Sequence, residues 1–371
     1  MRVLHVVPTY LPATRYGGPI FAVHGLCKAL AGRGHEVEVF TTNVDGKGVS
    51  DVALDAAVEL DGVRIRYFAS TIRRIYFSPE MRKALRARVR EFDIVHAHSV
   101  FLWPTASAAH AAQLANVPYI VSPRGMLVPE LIQRKSRLSK MAWISLVERR
   151  NFKHACAVHF TSERELEDCG RLSVAVPRAA VVPNGIDIPM VRSETRDPSL
   201  VLYLGRINWK KGLDRLIDAV VRLEGARLII AGGDDEGYAA KLPRHDRVTF
   251  VGEVAGEEKE RLLATAAMLV LPSISENFGN AVLEAMAQAT PVVVTPGVGL
   301  AREVEESGAG IVTDGSPISL AEAIQRLLGD ETLRAKMGGL GRALVENRFG
   351  WNNVAAEMET MYGSCTSASR R

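Results

Sequence analysis

The chain alternates short apolar runs with amphipathic stretches, and this alternation restricts the fold more than any other feature. The runs RVLHVVP at the start, DIVHAH at 93–98 and VLYLG at 201–205 resemble buried strands of parallel sheets. Helix-like segments follow them, such as PIFAVHGLCKALAGRG, which ends at glycines. Alternation of this kind predicts parallel sheets that are covered by helices on both faces.

The alternation continues through 371 residues, which at about 100–200 residues per domain predicts two domains. A stretch rich in Pro, Asn, Gly and Asp, VPNGIDIPMVRSETRDPSL, marks the junction. We predict an α/β protein with two doubly wound, Rossmann-like domains at residues 1–187 and 188–349. Residues 350–371 are predicted to form a helix that returns to the first domain and then a disordered polar tail.

The bulk composition indicates a globular protein, with 47% hydrophobic and 24% charged residues. The N-terminal apolar run is too short for a signal peptide, and no run approaches the roughly 18–20 residues of a membrane span. We therefore expect a cytoplasmic protein. The four cysteines lack a metal-binding CxxC spacing, so we expect reduced thiols that fill the core or lie in the tail: Cys27, Cys156, Cys169 and Cys365.

The charge differs between the two halves. Residues 1–190 carry 25 Lys and Arg against 17 Asp and Glu, whereas the remainder carries 21 against 25. The basic excess concentrates in residues 134–153, RKSRLSKMAWISLVERRNFK, and in a second run over residues 73–90. Basic amphipathic helices suit anionic membrane surfaces, although an ordinary solvated face has the same pattern. Nucleic acid is a weaker alternative, because no nucleic-acid-binding motif accompanies the charge.

Ligands of open α/β sheets bind outside the carboxyl ends of the strands. After the first strand, Gly17 and Gly18 precede a helix, where backbone N–H groups favour anions; a plain turn is the alternative. The chain contains neither GxGxxG nor GxxxxGK[ST], which argues against a dinucleotide oxidoreductase and a P-loop kinase. His96 and His98 point the same way from one strand. They suit metal binding or packing, but the sequence indicates no third ligand.

The second half has two further sets of polar residues after strands. Arg206 and Lys211 follow VLYLG and together suit a diphosphate, although a solvated basic loop is the alternative. The stretch SENFGNAVLEAM follows AMLVLPS and places Glu276 in a loop and Glu284 on a helix that starts near Gly279. Glu284 has apolar sequence neighbours and therefore needs partners.

These motifs together resemble the GT4 family of retaining, GT-B-fold glycosyltransferases. The resemblance extends in order from residue 1 to about residue 360. It rests on the Gly-Gly loop, GHEVEVFTT, DIVHAH, VPNGID, GRINWKKG, TFVGEV, SENFGNAVLEAMAQATPVV and SGAGIV. The segment VSPRGMLVPE, with the basic helix and HFTSERE, is similar to bacterial members that build surface polysaccharides or lipid-linked glycans.

The resemblance implies a role for each candidate. Arg206 and Lys211 would hold the nucleotide diphosphate. Glu276 would face the donor sugar, and Glu284 the ribose. His98 is the implied active-site histidine, so the catalytic candidates are His98, Glu276, Arg206 and Lys211. Substrate-binding candidates complete the implied site: Gly17, Gly18, His96, Arg124, Gly252, Val254, Asn277, Phe278, Gly279, Asn280 and Glu284.

The implied reaction transfers a hexose from a UDP- or GDP-sugar, with retention and without metal or cofactor, across a cleft between the domains. The implied acceptor is a glycan or polyprenyl-diphosphate-linked glycan on the N-terminal domain; the C-terminal domain binds the donor. The chain lacks D-x-D, and it departs from the family pattern at Asn277, Asn280, Ala281, Gln288 and Ala289. These departures leave the identity of the donor sugar open. Alternatives are a GT-B sugar-nucleotide 2-epimerase, a sugar synthase, or a non-catalytic binding protein.

Overall fold

The computed structural model describes residues 1–369 apart from Tyr16, Asp55, Lys135, Ser173 and Ser193, and for residues 368–369 it describes only the backbone. The chain forms two compact units. The first comprises Met1–Gly185 together with the C-terminal segment that starts at Trp351, and the second comprises Ile186–Gly350. Both are Rossmann-like α/β domains, as the alternation of the sequence predicts.

The N-terminal unit is built on an eight-stranded sheet in the order β10-β9-β8-β7-β1-β2-β6-β5. All neighbours pair in parallel except β5 and β6. The strands, with a small β3–β4 ribbon, are β1 Arg2–Val7, β2 Glu36–Thr42, β3 Val44–Asp45, β4 Gly48–Val49, β5 Ala57–Leu60, β6 Val63–Phe68, β7 Ile94–His98, β8 Tyr119–Ser122, β9 Ala157–Phe160 and β10 Ala179–Val181.

The helices that the described residues form before the junction are α1 Gly18–Gly32, α2 Pro79–Arg88, α3 Trp103–Ala115, α4 Pro129–Arg134, α5 Arg137–Trp143, α6 Arg149–His154 and α7 Glu163–Gly170. Short 3-10 turns lie at Arg73–Ile75 and Val89–Glu91, and a π-helical turn, Ile144–Glu148, joins α5 to α6. Helix α2 begins after Ser78, because the Ser78 hydroxyl accepts from Met81 N and Pro79 occupies the first turn.

The C-terminal unit has a six-stranded parallel sheet in the order β13-β12-β11-β14-β15-β16. Its strands are β11 Asp197–Leu204, β12 Arg227–Ala231, β13 Val248–Gly252, β14 Ala266–Leu271, β15 Val292–Val294 and β16 Gly310–Val312. Its helices are α8 Leu213–Val221, α9 Gly256–Thr265, α10 Asn280–Ala287, α11 Ala301–Ser307, α12 Pro317–Gly329 and α13 Glu331–Leu344. Two 3-10 turns, Trp209–Lys211 and Tyr238–Lys241, and a π-helical turn, Val345–Phe349, complete the unit.

The strand order reverses between β11 and β14 in the second sheet, and between β1 and β7 in the first. The connections on the two sides of such a point diverge and leave a crevice at the carboxyl ends of the strands. Most sequence candidates lie after β11 and β14 in one unit, and after β1 and β8 or at the end of β7 in the other, near the switch point of each sheet. Gly252 and Val254 are the exception, because they lie at the end of the edge strand β13.

Helix α14, Trp351–Ser369, belongs to the N-terminal unit. Tyr362 and Cys365 are fully buried in the core below β1. The Trp351 ring packs so closely on Gly25 and Gly185 that a methyl group at either glycine would overlap it. The prediction of a disordered tail is wrong for 363–369, because these residues form the last turns of the helix and Cys365 among them is buried. Residues 370–371 lie outside the described residues.

Two cysteines form a disulfide, so the expectation of four reduced thiols is wrong for this pair. Cys156 lies just before β9, and Cys365 comes from α14; their Cα atoms are 5.5 Å apart. The two lie 209 residues apart in the sequence, so nothing in their spacing indicates that they meet. Cys27 and Cys169 are free and buried, and burial raises the pKa of each thiol to about 12.

We expect the disulfide to contribute about 2–4 kcal/mol to the free energy of unfolding, because it closes a long loop in the unfolded chain. Urea unfolding of the oxidised protein with and without dithiothreitol measures this contribution. The effect of the reductant should vanish in Cys156→Ser and persist in Cys169→Ser, which removes a free thiol. Equal stability of the oxidised protein in both buffers would contradict the prediction.

Within the described part of the chain, every helix is too short or too polar to cross a membrane.

Candidate active site

The loop after β11 carries Arg206 and depends on a neighbouring glycine. Gly205 N donates to Ala231 O at 2.9 Å, which ties the loop to the end of β12. Gly232 has a φ of +153°, and a methyl group there would overlap the carbonyl group of Gly205. The two loops can approach only because this residue has no side chain. The arrangement leaves Arg206 exposed.

Lys211 forms an ion pair with Glu276. Lys211 ends the 3-10 turn that follows β11, and Glu276 lies in the loop after β14. Their side chains are 12% and 24% exposed, respectively. The sequence assigns these residues to the diphosphate and the sugar separately, whereas the structure brings them into direct contact. Because β11 and β14 are neighbours in the sheet, residues 65 positions apart meet at its carboxyl edge.

Tyr203 is buried beneath this pair. Burial raises the pKa of its hydroxyl well above the usual value, and the Glu276 carboxylate raises it further, against the effect of Arg206. The neutral hydroxyl donates to Arg206 O at 2.9 Å. Tyr203 therefore fixes the backbone that carries Arg206 without adding a charge.

A Gly-Val-Gly segment at residues 297–299, which the sequence analysis missed, holds the loop that carries Glu276. Glu276 N donates to Gly297 O at 2.8 Å, and Gly299 N donates to Glu276 O at 2.9 Å. A methyl group on Gly299 would overlap the carbonyl group of Asn277. The sequence indication is the GVG in TPGVGL, directly after β15, since glycines after a strand often mark close backbone approach.

The loop then turns into α10. Phe278 is buried and contacts the Phe349 ring edge-on, with ring centroids 6.2 Å apart. Gly279 precedes the helix with a φ of +103°, a conformation that glycine adopts at little cost. Asn277 and Asn280 flank these residues. The loop is therefore anchored by an aromatic core contact on one side and by the glycine segment on the other.

Glu284 on α10 is partly exposed and accepts from Lys259 Nζ at 3.1 Å. This ion pair supplies the partner that a helix acid among apolar neighbours needs, so the structure alone does not require a ligand there. Gly252 has a φ of +77° and is exposed, and its carbonyl oxygen accepts from Gly232 N at 2.6 Å. Val254 packs partly against the core of this unit. The ribose and base contacts of these three residues stay predictions.

We expect Gly299→Ala to raise the KM for the donor and to lower the free energy of unfolding by about 1–3 kcal/mol, since the added methyl group displaces the Asn277 backbone. Steady-state kinetics and urea unfolding measure the two effects. Gly339→Ala is the matched control, because this exposed glycine of α13 has open space around it and the change should be neutral or slightly stabilising. A destabilised Gly299→Ala with unchanged donor KM would place the segment outside the donor site.

In the N-terminal unit, four histidines cluster on one face of the sheet. His96 and His98 of β7 lie beside His5 of β1 and His159 of β9, and all four are buried. Burial lowers the pKa of His5 and His159 to about 3, and it lowers those of His96 and His98 well below the usual value. Arg124 lowers all four further, and the histidines are neutral at pH 7.

Hydrogen-bond directions assign the protons of one pair. Arg124 has no acceptor atom, and its Nε and Nη2 lie 3.3 and 3.2 Å from His98 Nδ1. His98 Nδ1 therefore accepts, and Nε2 carries the proton. His98 Nε2 lies 2.9 Å from His5 Nδ1 and donates to it. The proton of His5 is then on Nε2, a buried atom with no hydrogen-bond partner among the described residues.

The proton positions of the other pair, His159 and His96, follow from the hydrogen bond of His159 to the backbone. His159 Nε2 donates to Val182 O at 2.8 Å, so its Nδ1 accepts from His96 Nε2 at 3.3 Å. His96 Nδ1 then accepts from the Tyr362 hydroxyl of α14 at 2.8 Å. Helix α14 thus supplies the last donor of this second pair.

His5 supplies the third histidine beside His96 and His98, which the sequence analysis did not find. One ring nitrogen of each of His5, His96 and His98 lies within 4.8 Å of the others, a spacing compatible with metal binding. However, the proton assignment places a hydrogen on His98 Nε2, the atom that faces His5. The arrangement therefore favours a neutral hydrogen-bonded network over a metal centre. A histidine inside the apolar run RVLHVVP is the sequence indication for His5.

Arg124 lies just beyond β8 and covers His98. Its Nη1 donates to Asn184 Oδ1 at 2.8 Å. His98 is 1% exposed and both of its ring nitrogens are engaged, so Arg124 is the more exposed member of the pair. Gly17 caps α1 with a φ of +66° and has open space where a side chain would lie, and Gly18 is the first residue of that helix.

The site candidates therefore fall into two groups. The C-terminal unit holds Arg206, Lys211, Gly252, Val254, Glu276, Asn277, Phe278, Gly279, Asn280 and Glu284. The N-terminal unit holds Gly17, Gly18, His96, His98 and Arg124. Direct contacts join Lys211 to Glu276 in one unit and Arg124 to His98 in the other.

Comparison with known proteins follows the same division. Residues 189–343 match the family described as glycosyl transferases group 1, and residues 17–185 match the glycosyl transferase 4-like domain. An uncharacterized glycosyltransferase, MJ1607 of Methanocaldococcus jannaschii, is 28% identical over 98% of both chains. A D-inositol 3-phosphate glycosyltransferase of Xylanimonas cellulosilytica is 27% identical over 99% of this chain and 96% of the relative.

The fold has close counterparts among solved structures. The crystal structure of Anabaena Alr3699/HepE in complex with UDP and glucose has a TM-score of 0.75 and 20% identity, with coverage of 98% of this chain and 100% of that one. Such structural neighbours have the GT-B fold of two Rossmann-like domains. The two family matches together cover most of the chain, and the chain belongs to the GT4-type, group 1 glycosyltransferases.

Proposed function

We propose that this enzyme transfers a hexose from a nucleoside-diphosphate sugar to a glycan or lipid-linked acceptor, with retention at the anomeric carbon and without a metal ion. The observation that carries the proposal is the Lys211–Glu276 ion pair beside Arg206, at the switch point of the C-terminal sheet. This location suits a nucleotide. The two cations suit its diphosphate, and the carboxylate suits sugar hydroxyls.

Charge stabilisation is the main catalytic task that we assign to these residues. The departing diphosphate gains negative charge in the transition state, and preorganised cations stabilise that charge without solvent reorganisation. Lys211 is held by Glu276 before any ligand binds, whereas Arg206 is exposed and free to close on the phosphates. The chain lacks D-x-D, so two side-chain cations take the role that a metal ion has in other transferases.

Retention follows from the chemistry that we assign to the carboxylate. Glu276 is paired with Lys211, which makes it a weaker nucleophile than an unpaired carboxylate. We therefore propose a front-face reaction, in which a leaving phosphate oxygen accepts the proton of the acceptor hydroxyl as the new glycosidic bond forms. Glu276 then binds hydroxyl groups of the sugar and forms no covalent intermediate.

The donor is proposed to be a UDP- or GDP-sugar. The structural neighbour solved with UDP and glucose supports a uridine nucleotide, and Gly252 and Val254 are the proposed contacts to the base. A thermal-shift panel of UDP, GDP, ADP and their sugars tests the donor, because a ligand that binds the folded state raises Tm. No shift with any nucleoside diphosphate would overturn the proposal.

Product analysis separates the alternatives. A transferase releases the nucleoside diphosphate only with an acceptor, apart from slow hydrolysis. A 2-epimerase changes the sugar without an added acceptor, a sugar synthase uses a small soluble acceptor, and a binding protein releases nothing. Chromatography of the nucleotide products, with and without candidate acceptors, distinguishes these outcomes.

We propose that the acceptor is a polyprenyl-diphosphate-linked glycan and that the enzyme works at the inner face of the cell membrane. The segment from Arg137 to His154 supports this proposal. Leu138 and Leu146 are 86% and 77% exposed. Four exposed cations of the segment have no ion-pair partner within 4 Å among the described residues: Arg137, Arg149, Arg150 and Lys153. Lys135, which precedes this segment in the basic run, lies outside the described residues.

The single acid of this segment does not neutralise the basic surface. Glu148 is fully buried and accepts from Phe101 N at 3.0 Å and from Trp143 Nε1 at 2.8 Å. Burial raises the pKa of its carboxyl group. The charge of the acid is therefore held inside the unit, while the cations and the two leucines face outward. Such a surface suits an anionic membrane.

Vesicle flotation tests the membrane proposal. We expect binding to vesicles that contain phosphatidylglycerol, loss of binding in high salt, and weaker binding of Leu138→Ser/Leu146→Ser. Leu114→Ser, at an exposed leucine of α3, is the matched control. Equal binding to neutral and anionic vesicles would contradict the proposal.

A further inference from the structure

We propose that Arg124 binds a phosphate group of a substrate and that His98 is its positioning residue. This inference rests on the proposed function, because both proposed substrates contain phosphate. It assigns a ligand class to the N-terminal unit, beyond the phosphate site at Arg206 and Lys211.

Arg124 is a partly buried cation without an anionic partner. Its side chain contacts His98 Nδ1 and Asn184 Oδ1, and both acceptors are neutral. No carboxylate of the described residues forms an ion pair with it within 4 Å. Burial lowers the pKa of Arg124, and the Glu165 carboxylate opposes this effect from a distance. A buried charge is costly unless it is paired, so the site favours an incoming anion.

Glu165, the carboxylate that acts on the pKa of Arg124, already has hydrogen-bond partners. Glu165 Oε1 accepts from Gly125 N at 2.5 Å, and Oε2 accepts from Thr161 N and Oγ1 at 2.7 and 2.9 Å. These bonds use both carboxylate oxygens to hold the turn that contains Arg124 and the end of β9. Glu165 therefore shapes the loop and does not neutralise the guanidinium group directly.

The guanidinium group keeps donors for a ligand. It has five N–H bonds, and three of them point to His98 and Asn184, one from each nitrogen. The remaining two, on Nη1 and Nη2, make no hydrogen bond to the described residues. Paired donors of a planar guanidinium group match two oxygens of a phosphate. The orientation is also fixed by the backbone, because Arg124 has a φ of +55°, a conformation that costs a non-glycine residue free energy.

His98 acts through Arg124. Its neutral ring offers Nδ1 as an acceptor because His5 takes the proton of Nε2. The Nε and Nη2 donors of Arg124 both point to this nitrogen, which fixes the plane of the guanidinium group. In this arrangement the histidine is buried and the arginine faces the ligand, so we assign the substrate contact to Arg124.

The phosphate has two possible sources, the diphosphate of the donor and the phosphate of a lipid-linked acceptor. Calorimetric titration of the full chain with inorganic pyrophosphate and with UDP separates them. The variant Arg206→Ala/Lys211→Ala removes both cations of the proposed donor site. Arg124→Gln in that background removes the remaining cation. Arg178→Gln is the matched control, because this exposed arginine precedes β10 and so lies at the amino ends of the parallel strands, whereas Arg124 lies beyond their carboxyl ends.

We expect Arg124→Gln to weaken the binding of at least one of these two ligands at least tenfold. Arg178→Gln should change the binding of each ligand less than twofold. If Arg124 binds the phosphate of the acceptor, pyrophosphate should still bind the Arg206→Ala/Lys211→Ala protein, and this binding should be lost when Arg124→Gln is added. Arg124→Gln alone should then leave the affinity for UDP unchanged. A donor phosphate predicts weaker UDP binding by Arg124→Gln alone. Unchanged binding of both ligands by a folded Arg124→Gln protein would overturn the proposal.

Two further variants keep the test decisive. If Arg124→Gln does not fold, Arg124→Lys is the substitute. It keeps the positive charge but loses the paired donors of the guanidinium group, so it should weaken phosphate binding by a smaller factor. His98→Ala should weaken pyrophosphate binding at least threefold, and His98→Asn should restore at least half of the loss, since its amide oxygen can accept from Arg124. Equal affinities of both His98 variants and wild type would refute the positioning role. Unchanged UDP affinity in Arg206→Ala/Lys211→Ala would instead count against the proposed function.

Discussion

Replacement of Lys211 by alanine is expected to lower kcat about 10²–10³-fold, the usual effect of removing one preorganised donor from a developing negative charge. The ammonium group is mostly buried and paired with Glu276, so it is oriented before the donor binds. Its loss also leaves the carboxylate without a cation beside the departing diphosphate, and the two anions would repel each other. Steady-state kinetics with the donor identified by thermal shift measures the change.

The control for Lys211→Ala is Lys241→Ala. Lys241 is an exposed lysine of the same unit, at the end of the 3-10 turn before β13, and its removal should leave kcat within twofold. Circular dichroism and Tm establish that both variants are folded. A near-wild-type kcat for Lys211→Ala would remove Lys211 from the diphosphate site and refute the proposed charge stabilisation.

The fold was predictable because its dominant pattern is local. Each buried parallel strand forms a continuous apolar run, and each crossover helix leaves its own amphipathic pattern. The rule that ligands lie beyond the carboxyl ends of strands then directs attention to Arg206, Lys211 and Glu276. The sequence does not specify strand order, so the direct contact between Lys211 and Glu276 could not be predicted from it.

The features that the sequence analysis missed depend on long-range contacts. His5 and His159 each lie within an apolar run, and they meet the histidines of β7 only because β1 and β9 flank β7 and β8 in the sheet. Cys156 meets Cys365 because α14 packs against the N-terminal unit. The polar composition after Tyr362 suggested a disordered tail, but the burial of a few side chains outweighs that average. Composition reports a mean, whereas packing depends on individual positions.

The histidine network should make the N-terminal unit sensitive to acid. Folded His5 and His159 have pKa values of about 3, whereas unfolded histidine titrates near 6.5. Between these values the unfolded chain binds more protons, so the free energy of unfolding falls as pH falls. Each histidine contributes up to about 1.4 kcal/mol per pH unit well below pH 6.5, which makes the expected loss several kcal/mol by pH 5.

The decisive interval is pH 6.5 to 5, because most carboxyl groups titrate below it. Glu148 and Asp168 act in the opposite direction, since burial raises the pKa of each. Urea unfolding followed by tryptophan fluorescence suits the measurement, as Trp103, Trp143 and Trp351 all belong to the N-terminal unit. The slope of stability against pH should be positive throughout this interval.

His159→Gln tests how much the protonation of one histidine contributes to this dependence of stability on pH. Glutamine can keep the hydrogen bond to Val182 O but does not titrate, so the dependence of stability on pH should become shallower by up to about 1.4 kcal/mol per pH unit. Val354→Ala, which removes buried methyl groups from α14 in the same core, is the control and should lower stability equally at each pH. A His159→Gln curve parallel to that of the wild type would mean that His159 stays protonated in the folded state or does not contribute, and the neutral network would then be wrong.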